Sequence, residues 1–209
     1  KGTPTIVNTS CIGQAFVKAY DILKNQKYMD IARSACDFIL EDLNRRQDDD
    51  TLCFSYTPID HYYVHNASAL GASLLSTVYT YAKESILYDT AEKAITNILY
   101  KQKEDSSWNY GESKTAKKTG IDSFHTGFIL ISLKNCLSRL DEIDESDVKS
   151  RRLIQRGMSK TTKGYNYYKR AFWEEDGCPK YYAQKKYPID IHCSAQGIIT
   201  FLYFKDIDD

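Results

Sequence analysis

Three tetrapeptides constrain what this chain can fold into. They are Thr57-Pro58-Ile59-Asp60, Thr119-Gly120-Ile121-Asp122 and Tyr187-Pro188-Ile189-Asp190. Ahead of each lies a turn cluster holding an aromatic and a tyrosine: Phe54-Ser55-Tyr56, Trp108-Asn109-Tyr110 and Lys180-Tyr181-Tyr182. After each, within a few residues, come His or Asn and then an apolar helical run. Recurrence at roughly 60 to 70 residues is the mark of a repeat architecture, in which each unit buries its apolar face against its neighbours.

Between the motifs, apolar residues recur at spacings of three and four, which is helical. One stripe runs Ile12, Ala15, Phe16, Ala19, Ile22 and Leu23, and a second Tyr28, Ala32, Ala35, Ile39 and Leu43. The short link at Asn25-Gln26-Lys27 makes these antiparallel neighbours. A second hairpin carries Leu70, Leu74, Leu75, Val78 and Tyr81, then Leu87, Ala91, Ala94, Ile95, Ile98 and Leu99. A third runs out through Phe128, Ile131 and Leu137 and back through Leu153, Ile154, Tyr165, Tyr168 and Phe172, with Gly157 and Gly164 expected to weaken the return. A last helix carries Ile198, Ile199 and Leu202. The expected fold is all-α: antiparallel helical hairpins forming an (α/α) toroid, or part of one, with short extended joints. Inner helices are expected at 10–25, 66–82, 126–140 and 194–204. Residues 1–209 read as one toroid domain. The start at Lys1, and four inner helices where a six-hairpin ring has six, give the expectation of an N-terminally truncated fragment or an arc completed by another chain.

Composition closes off several function classes. Lys+Arg and Asp+Glu both number 28, so no net field draws the chain to nucleic acid or an anionic membrane. No apolar run approaches the ~20 residues of a membrane span. The six cysteines are scattered without a CxxC pair, which points to small buried thiols, no metal site, and a reducing, cytoplasmic setting. No phosphate-binding glycine loop or nucleophile elbow occurs, and no cofactor is implied. Seventeen tyrosines suit cores beside wet clefts and sugar-binding surfaces.

The candidate site follows from the repeats. Asn8, Asn66, His125 and His192 are placed just ahead of the inner helices, with Asp60, Asp122, Asp190 and His65 beside them. Helix starts favour anionic or oxygen-rich ligands, and Asp and Asn there also serve as caps. Capping does not ask for imidazole, yet His accompanies Asp in Asp122-Ser123-Phe124-His125 and again in Asp190-Ile191-His192. The candidate catalytic residues are therefore Asp122, His125, Asp190 and His192, and the candidate substrate-binding residues Asp60, Asn66, Tyr110, Tyr181 and Trp108. Two chemistries stay open. Paired carboxylates (Asp60, Asp122, Asp190) could cleave glycosidic bonds. A His–Tyr set (His125, His192, Tyr110, Tyr181) could move a proton beside a uronic carboxylate. The acidic turns at 47–50, 104–107 and 174–177 read as solvated loops. Lys114, Lys117 and Lys118 read as a basic loop, and Arg151-Arg152 as helix surface. Asp105-Ser106-Ser107-Trp108 resembles the turn in terpene-cyclase-type toroids whose aromatic clasps adjacent repeats.

The run from Glu175-Asp176-Gly177-Cys178-Pro179-Lys180-Tyr181-Tyr182 through Tyr187-Pro188-Ile189-Asp190-Ile191-His192-Cys193-Ser194-Ala195-Gln196, with Asp122-Ser123-Phe124-His125-Thr126-Gly127-Phe128, resembles a family of bacterial and archaeal α/α-toroid proteins. Its members are often encoded among surface-polysaccharide biosynthesis genes. The resemblance covers most of the chain. It implies a toroid in a saccharide context: a carbohydrate-processing protein acting on an oligo- or polysaccharide, of glycoside hydrolase, lyase or uronyl-epimerase type. The alternative is a non-catalytic saccharide-binding or assembly protein of the same pathway. The expected partner is a saccharide, and the oligomeric state is left open.

Overall fold

The computed structural model describes residues 2–112, 120–141 and 148–208. Lys114, Lys117 and Lys118 lie outside the described residues. Seven α-helices run through this part: α1 (Ile6–Leu23), α2 (Gln26–Asp37), α3 (His65–Ala82), α4 (Ser85–Tyr100), α5 (Ser123–Asp141), α6 (Val148–Phe172) and α7 (Ile191–Tyr203). A π-helical segment, Phe38–Asp42, extends α2. The odd-numbered helices pack in series, α1 on α3, α3 on α5 and α5 on α7, while α2, α4 and α6 each back the preceding helix. This is the expected alternation of inner and outer helices. The joints are short and extended: β1 (Arg45–Gln47) pairs antiparallel with β2 (Leu52–Phe54), and single bridges link Ser55 with Tyr63, Val64 with Gly111 and Asp122 with Tyr182.

One interaction repeats at the start of three inner helices, α1, α3 and α5. The first N–H groups of a helix have no partner inside it. Here the N–H of the first residue is donated to the tyrosine carbonyl of the following joint: Ile6 to Tyr56 at 3.0 Å, His65 to Tyr110 at 3.1 Å and Ser123 to Tyr181 at 2.9 Å. Those are the three tyrosines of the repeated turn clusters. Each joint is thereby stapled to the helix one repeat before it.

The tight hairpin bends repeat as well. α1 and α3 both end in a left-handed lysine, Lys24 (φ 53°) and Lys83 (φ 57°), whose N–H returns to Tyr20 O and Tyr79 O. In both, the lysine ammonium lies 5.7 Å from the ring of that same tyrosine. A left-handed non-glycine residue costs about 1–2 kcal/mol. A cation–π contact of about 0.5–1 kcal/mol offsets part of it.

Two inner helices, α1 and α7, bury different faces from those their apolar spacing suggests. α1 buries Ile6, Ser10, Gly13 and Val17 and leaves Ile12, Ile22 and Leu23 exposed. α7 buries Cys193, Gln196, Gly197 and Thr200 and leaves Ile198, Ile199 and Leu202 exposed. The reason is close approach. A Cβ on Gly13 would sit 2.6 Å from Leu74 Cδ2, and one on Gly127 of α5 would sit 2.7 Å from Gln196 Cγ. Small residues, not large apolar ones, let these helices meet. A polar ladder also ties three inner helices together: Gln14 Nε2 of α1 and Asn135 Nδ2 of α5 both donate to Ser73 Oγ and Thr77 Oγ1 of α3.

α6 runs unbroken past Gly157 and Gly164. They make room for neighbours: a Cβ on Gly157 would meet Leu137 at 2.7 Å, and one on Gly164 would meet the Trp108 ring at 2.5 Å. Trp108 is 1 % exposed and donates its indole N–H to Ile98 O, clasping α4 to α6.

The staple can be tested with proline, which the first position of a helix normally tolerates because its N–H is otherwise unused. Ser123→Pro removes a donated N–H and should lower stability by about 1–3 kcal/mol, beyond any effect of Ser123→Ala. Ile191→Pro, at the start of α7 where no such bond is made among the described residues, should change it by less than about 0.5 kcal/mol. Chemical denaturation of the three variants makes the comparison, and equal losses at the two sites would refute the staple.

Candidate functional site

The stapled joints bring most of the expected residues to the inner-helix starts. Asp122 is the N-cap of α5: its Oδ1 accepts the His125 N–H at 2.8 Å. Both carboxylate oxygens also lie 2.8 Å from His125 Nδ1. A carboxylate can only accept there, so Nδ1 carries a proton, and in the neutral imidazole the lone pair is on Nε2. The Tyr110 ring stands edge-on to the imidazole with centroids 4.6 Å apart. Phe124 bridges the two Asp–His units, 5.4 Å from His125 and 5.9 Å from His192. Asp190 repeats the arrangement at α7, capping the His192 N–H and holding its Nδ1, each at 2.8 Å. Those bonds keep the Asp190 carboxyl below its usual range. The first His–Asp unit is partly enclosed, with Asp122 buried, whereas the His192 side chain is 71 % exposed.

The tyrosines around Asp122 hold their protons. Burial, then the neighbouring Tyr56 and Asp122 charges, raise Tyr110. Burial first and Asp122 second push Tyr181 up to about 12. Both phenols are proton donors across the neutral range.

Other expected residues have structural employment. Asn8 and the two histidines lie within the first turn of their helices rather than ahead of them, because those helices begin three to four residues earlier than the sequence suggests. Thr5 caps α1 in place of Asn8. Asp60 caps nothing: it locks its own loop, accepting from Tyr56 N, Thr57 Oγ1 and Tyr62 N. Asn66 is buried in the first turn of α3, and its Oδ1 has no hydrogen-bond partner among the described residues. Trp108 lies in the core and forms no wall of the site. Four of the six free cysteines are buried as expected, whereas Cys11 is exposed and Cys178 half-buried. Among the described residues no three His, Cys, Asp or Glu side chains are grouped as metal ligands, and no helix is long and apolar enough to cross a membrane.

Two features escaped the sequence reading. Phe124 is one. The other is a network around Glu112, whose carboxylate pairs with Arg46 and, at 3.3 Å each, with Lys101 Nζ and His65 Nε2. His65 is 3 % exposed and donates from Nδ1 to Asn109 O at 2.9 Å. Burial, reinforced by the Lys101 and Arg46 charges, lowers it to about 4. We therefore take the imidazole as neutral, and its 3.3 Å approach to Glu112 as a contact that becomes an ion pair only in acid. A cavity of about 600 Å3 opens above this network between the β1–β2 turn and the end of α4. A smaller one of about 280 Å3 lies between α4 and α6, bordered by Arg152, which is exposed helix surface as expected. The patch around His125 is outside both.

A buried neutral His65 gives a definite pH dependence. Its folded pKa of about 4 lies below the ordinary 6.5, so the unfolded chain binds the extra proton between those values. The contribution is complete above pH 6.5 and is lost as pH falls toward 4, about 3 kcal/mol in all. His65→Gln should flatten the slope of unfolding free energy against pH in that window by up to about 1.4 kcal/mol per unit, whatever the variant's baseline. Parallel slopes in the two proteins would show that His65 does not titrate this way.

No family model and no curated protein matches the chain. Solved structures do match in fold. The family 76 α-mannanase of Bacteroides thetaiotaomicron superposes with a TM-score of 0.72 at 12 % identity, covering 100 % of this chain and 54 % of that one. A family 76 mannosidase from the same organism gives 0.65 at 14 % identity, over 95 % and 53 %. The unsaturated glucuronyl hydrolase of Bacillus sp. GL1, an enzyme of glycosaminoglycan degradation, gives 0.62 at 16 % identity, over 87 % and 50 %. The chain thus spans about half the length of these enzymes and shares with them the α/α-toroid fold.

Proposed function

We propose that the inner-helix starts form a saccharide-binding mouth in which His125 and Tyr110 exchange a proton with a uronic-acid-bearing oligo- or polysaccharide. The observation that carries this is the Asp122–His125 pair with the Tyr110 ring against it. The carboxylate holds Nδ1–H, so Nε2 is the base. It would take the proton from the carbon beside the sugar carboxylate. Tyr110, protonated at neutral pH and on the same side as His125, would give a proton to the departing glycosidic oxygen, as in a lyase. The alternative with paired carboxylates fares less well. Asp60 locks a loop, and Asp122 and Asp190 are committed to caps and imidazoles. The toroid neighbours support a carbohydrate substrate, and the family resemblance adds a surface-polysaccharide pathway and the reading of residues 1–209 as one toroid domain. The scattered free thiols support a reducing, cytoplasmic setting. One observation favours the second reading, a non-catalytic saccharide-binding protein of the same pathway: the patch is open, with His192 largely in solvent.

His125→Ala keeps the Asp122 cap, which uses the backbone N–H, so its melting temperature should stay within about 3 °C of wild type. Binding of uronic acid oligosaccharides, followed by calorimetry, should fall at least about tenfold. Deuterium washing into the sugar from heavy water separates the readings: exchange lost in His125→Ala marks the enzyme, and binding without exchange marks the binding protein. Unchanged binding in His125→Ala would refute the mouth altogether.

A further inference from the structure

One helix carries a charge that the chain as a whole does not. Over Val148–Phe172, α6 holds eight lysines and arginines and no acidic residue, in a chain whose Lys+Arg and Asp+Glu balance at 28 each. Its apolar side is in the core, where Ile154, Tyr165, Tyr168 and Phe172 are buried. Arg152, Arg156, Lys160, Lys163 and Arg170 follow one another at spacings of four, four, three and seven, so they share the opposite side. At about 1.5 Å per residue the row is about 27 Å long. Lys169, off this row, pairs with Asp208, whereas Arg152, Arg156, Lys163 and Arg170 form no ion pair among the described residues. Lys160 donates to Leu99 O, and Arg156 lies 5.9 Å from the centroid of the Tyr100 ring, so the row is fixed against the end of α4. Burial, then the Arg156 and Lys163 charges, lower Lys160, as neighbouring cations on one face must.

The row has a direction. Ser123, at the start of α5, meets the Tyr168 hydroxyl at 3.5 Å, so the Arg170 end lies on the mouth side of the bundle. Its chemistry selects the partner. Every exposed residue of α6 from Arg151 to Arg170 is polar, so the helix has nothing to bury in a bilayer, as a membrane-surface helix must. Duplex nucleic acid carries a charge every ~1.7 Å of its axis, far denser than cations set about one helical turn, ~5.4 Å, apart. It would also meet Asp49, Asp50 and Glu92, which border the groove of about 280 Å3 beside Arg152, Arg156 and Lys160. A polysaccharide with one carboxylate on each sugar spaces its charges widely. Hydroxyls fill the gaps, and they donate to carboxylates as well as accept from cations. We propose that the outer face of α6 is a docking surface for an acidic polysaccharide laid along Arg152, Arg156, Lys160, Lys163 and Arg170, with its hydroxyls toward the acidic wall of the groove. The choice of a uronic acid polymer rests on the reading of the mouth, whereas the row of cations does not.

The test is titration of the chain with labelled digalacturonate and decagalacturonate, read by fluorescence anisotropy, beside a single-stranded oligodeoxynucleotide and phosphatidylglycerol vesicles. The variant combines Arg152→Gln, Lys163→Gln and Arg170→Gln, all exposed, and should melt within about 3 °C of wild type. Its affinity for decagalacturonate should fall at least about tenfold, with a shallower dependence on salt. Digalacturonate, held at the mouth, should bind it as it binds wild type. No binding of decagalacturonate by wild type, or equal affinity in the two proteins, would overturn the proposal. So would tighter binding of the oligonucleotide or the vesicles than of decagalacturonate, or loss of both oligosaccharides in His125→Ala, which would leave the mouth as the one sugar site. Decagalacturonate bound by wild type and lost in the triple variant, with digalacturonate bound by neither, would sustain the α6 surface and sink the mouth.

Discussion

The architecture hangs on a backbone hydrogen bond from the first N–H of α1, α3 and α5 to the tyrosine carbonyl of the next joint. Side chains at a helix start are free to vary, whereas this bond asks only that the chain pass at the right place. It fixes the joint against the helix before it, and so fixes where the tyrosine side chain points. Tyr110 meets His125 because its carbonyl is held by His65, one repeat back, while Asp122 of the next motif holds the imidazole. The site is assembled from consecutive repeats rather than within one.

Asp122 and Asp190 each do two jobs with one carboxylate, capping a helix and fixing an imidazole tautomer. The capping and functional readings of these residues are therefore not rivals. A cap holds the carboxylate rigidly at low cost, and rigidity is what an orienting group needs. The difference between the two units is burial. The α5 unit is partly shielded by Tyr110 and Phe124, and the α7 unit is open to water, where an ion pair is screened.

Helical content, the inner–outer alternation and the position of the Asp–His pairs were legible because each depends on local spacing. The outer stripe Leu87 to Leu99 was read correctly, since an outer helix buries large side chains in the ordinary way. The stripes of α1 and α7 were misread because inner helices approach through Ser10, Gly13, Gln196 and Gly197, residues that a hydrophobicity pattern discards. Trp108 as a clasp followed from its turn, but its exclusion from the site did not, because burial depends on Gly164 arriving from α6, more than fifty residues away. Phe124 and the His65–Glu112 network carry no repeated signal: they are particular to one joint and become visible only when distant segments meet. The matching Tyr20–Lys24 and Tyr79–Lys83 bends were in the sequence as a repeat, but a lysine in a left-handed turn is not a pattern one searches for.

The ladder from Gln14 through Ser73 and Thr77 to Asn135 has a consequence for how this scaffold can change. Two smooth apolar helices can slide past one another by a turn, about 5.4 Å, and still cover each other's surface. Amides aimed at hydroxyls cannot, since a slip would strand every donor in the interior at once. The ladder thus acts as a keyway that sets the axial position of three inner helices independently of their ends. With that position secured at mid-helix, the joints are released from holding the helices in place, and their length and side chains can drift toward new ligands without disturbing the frame beneath.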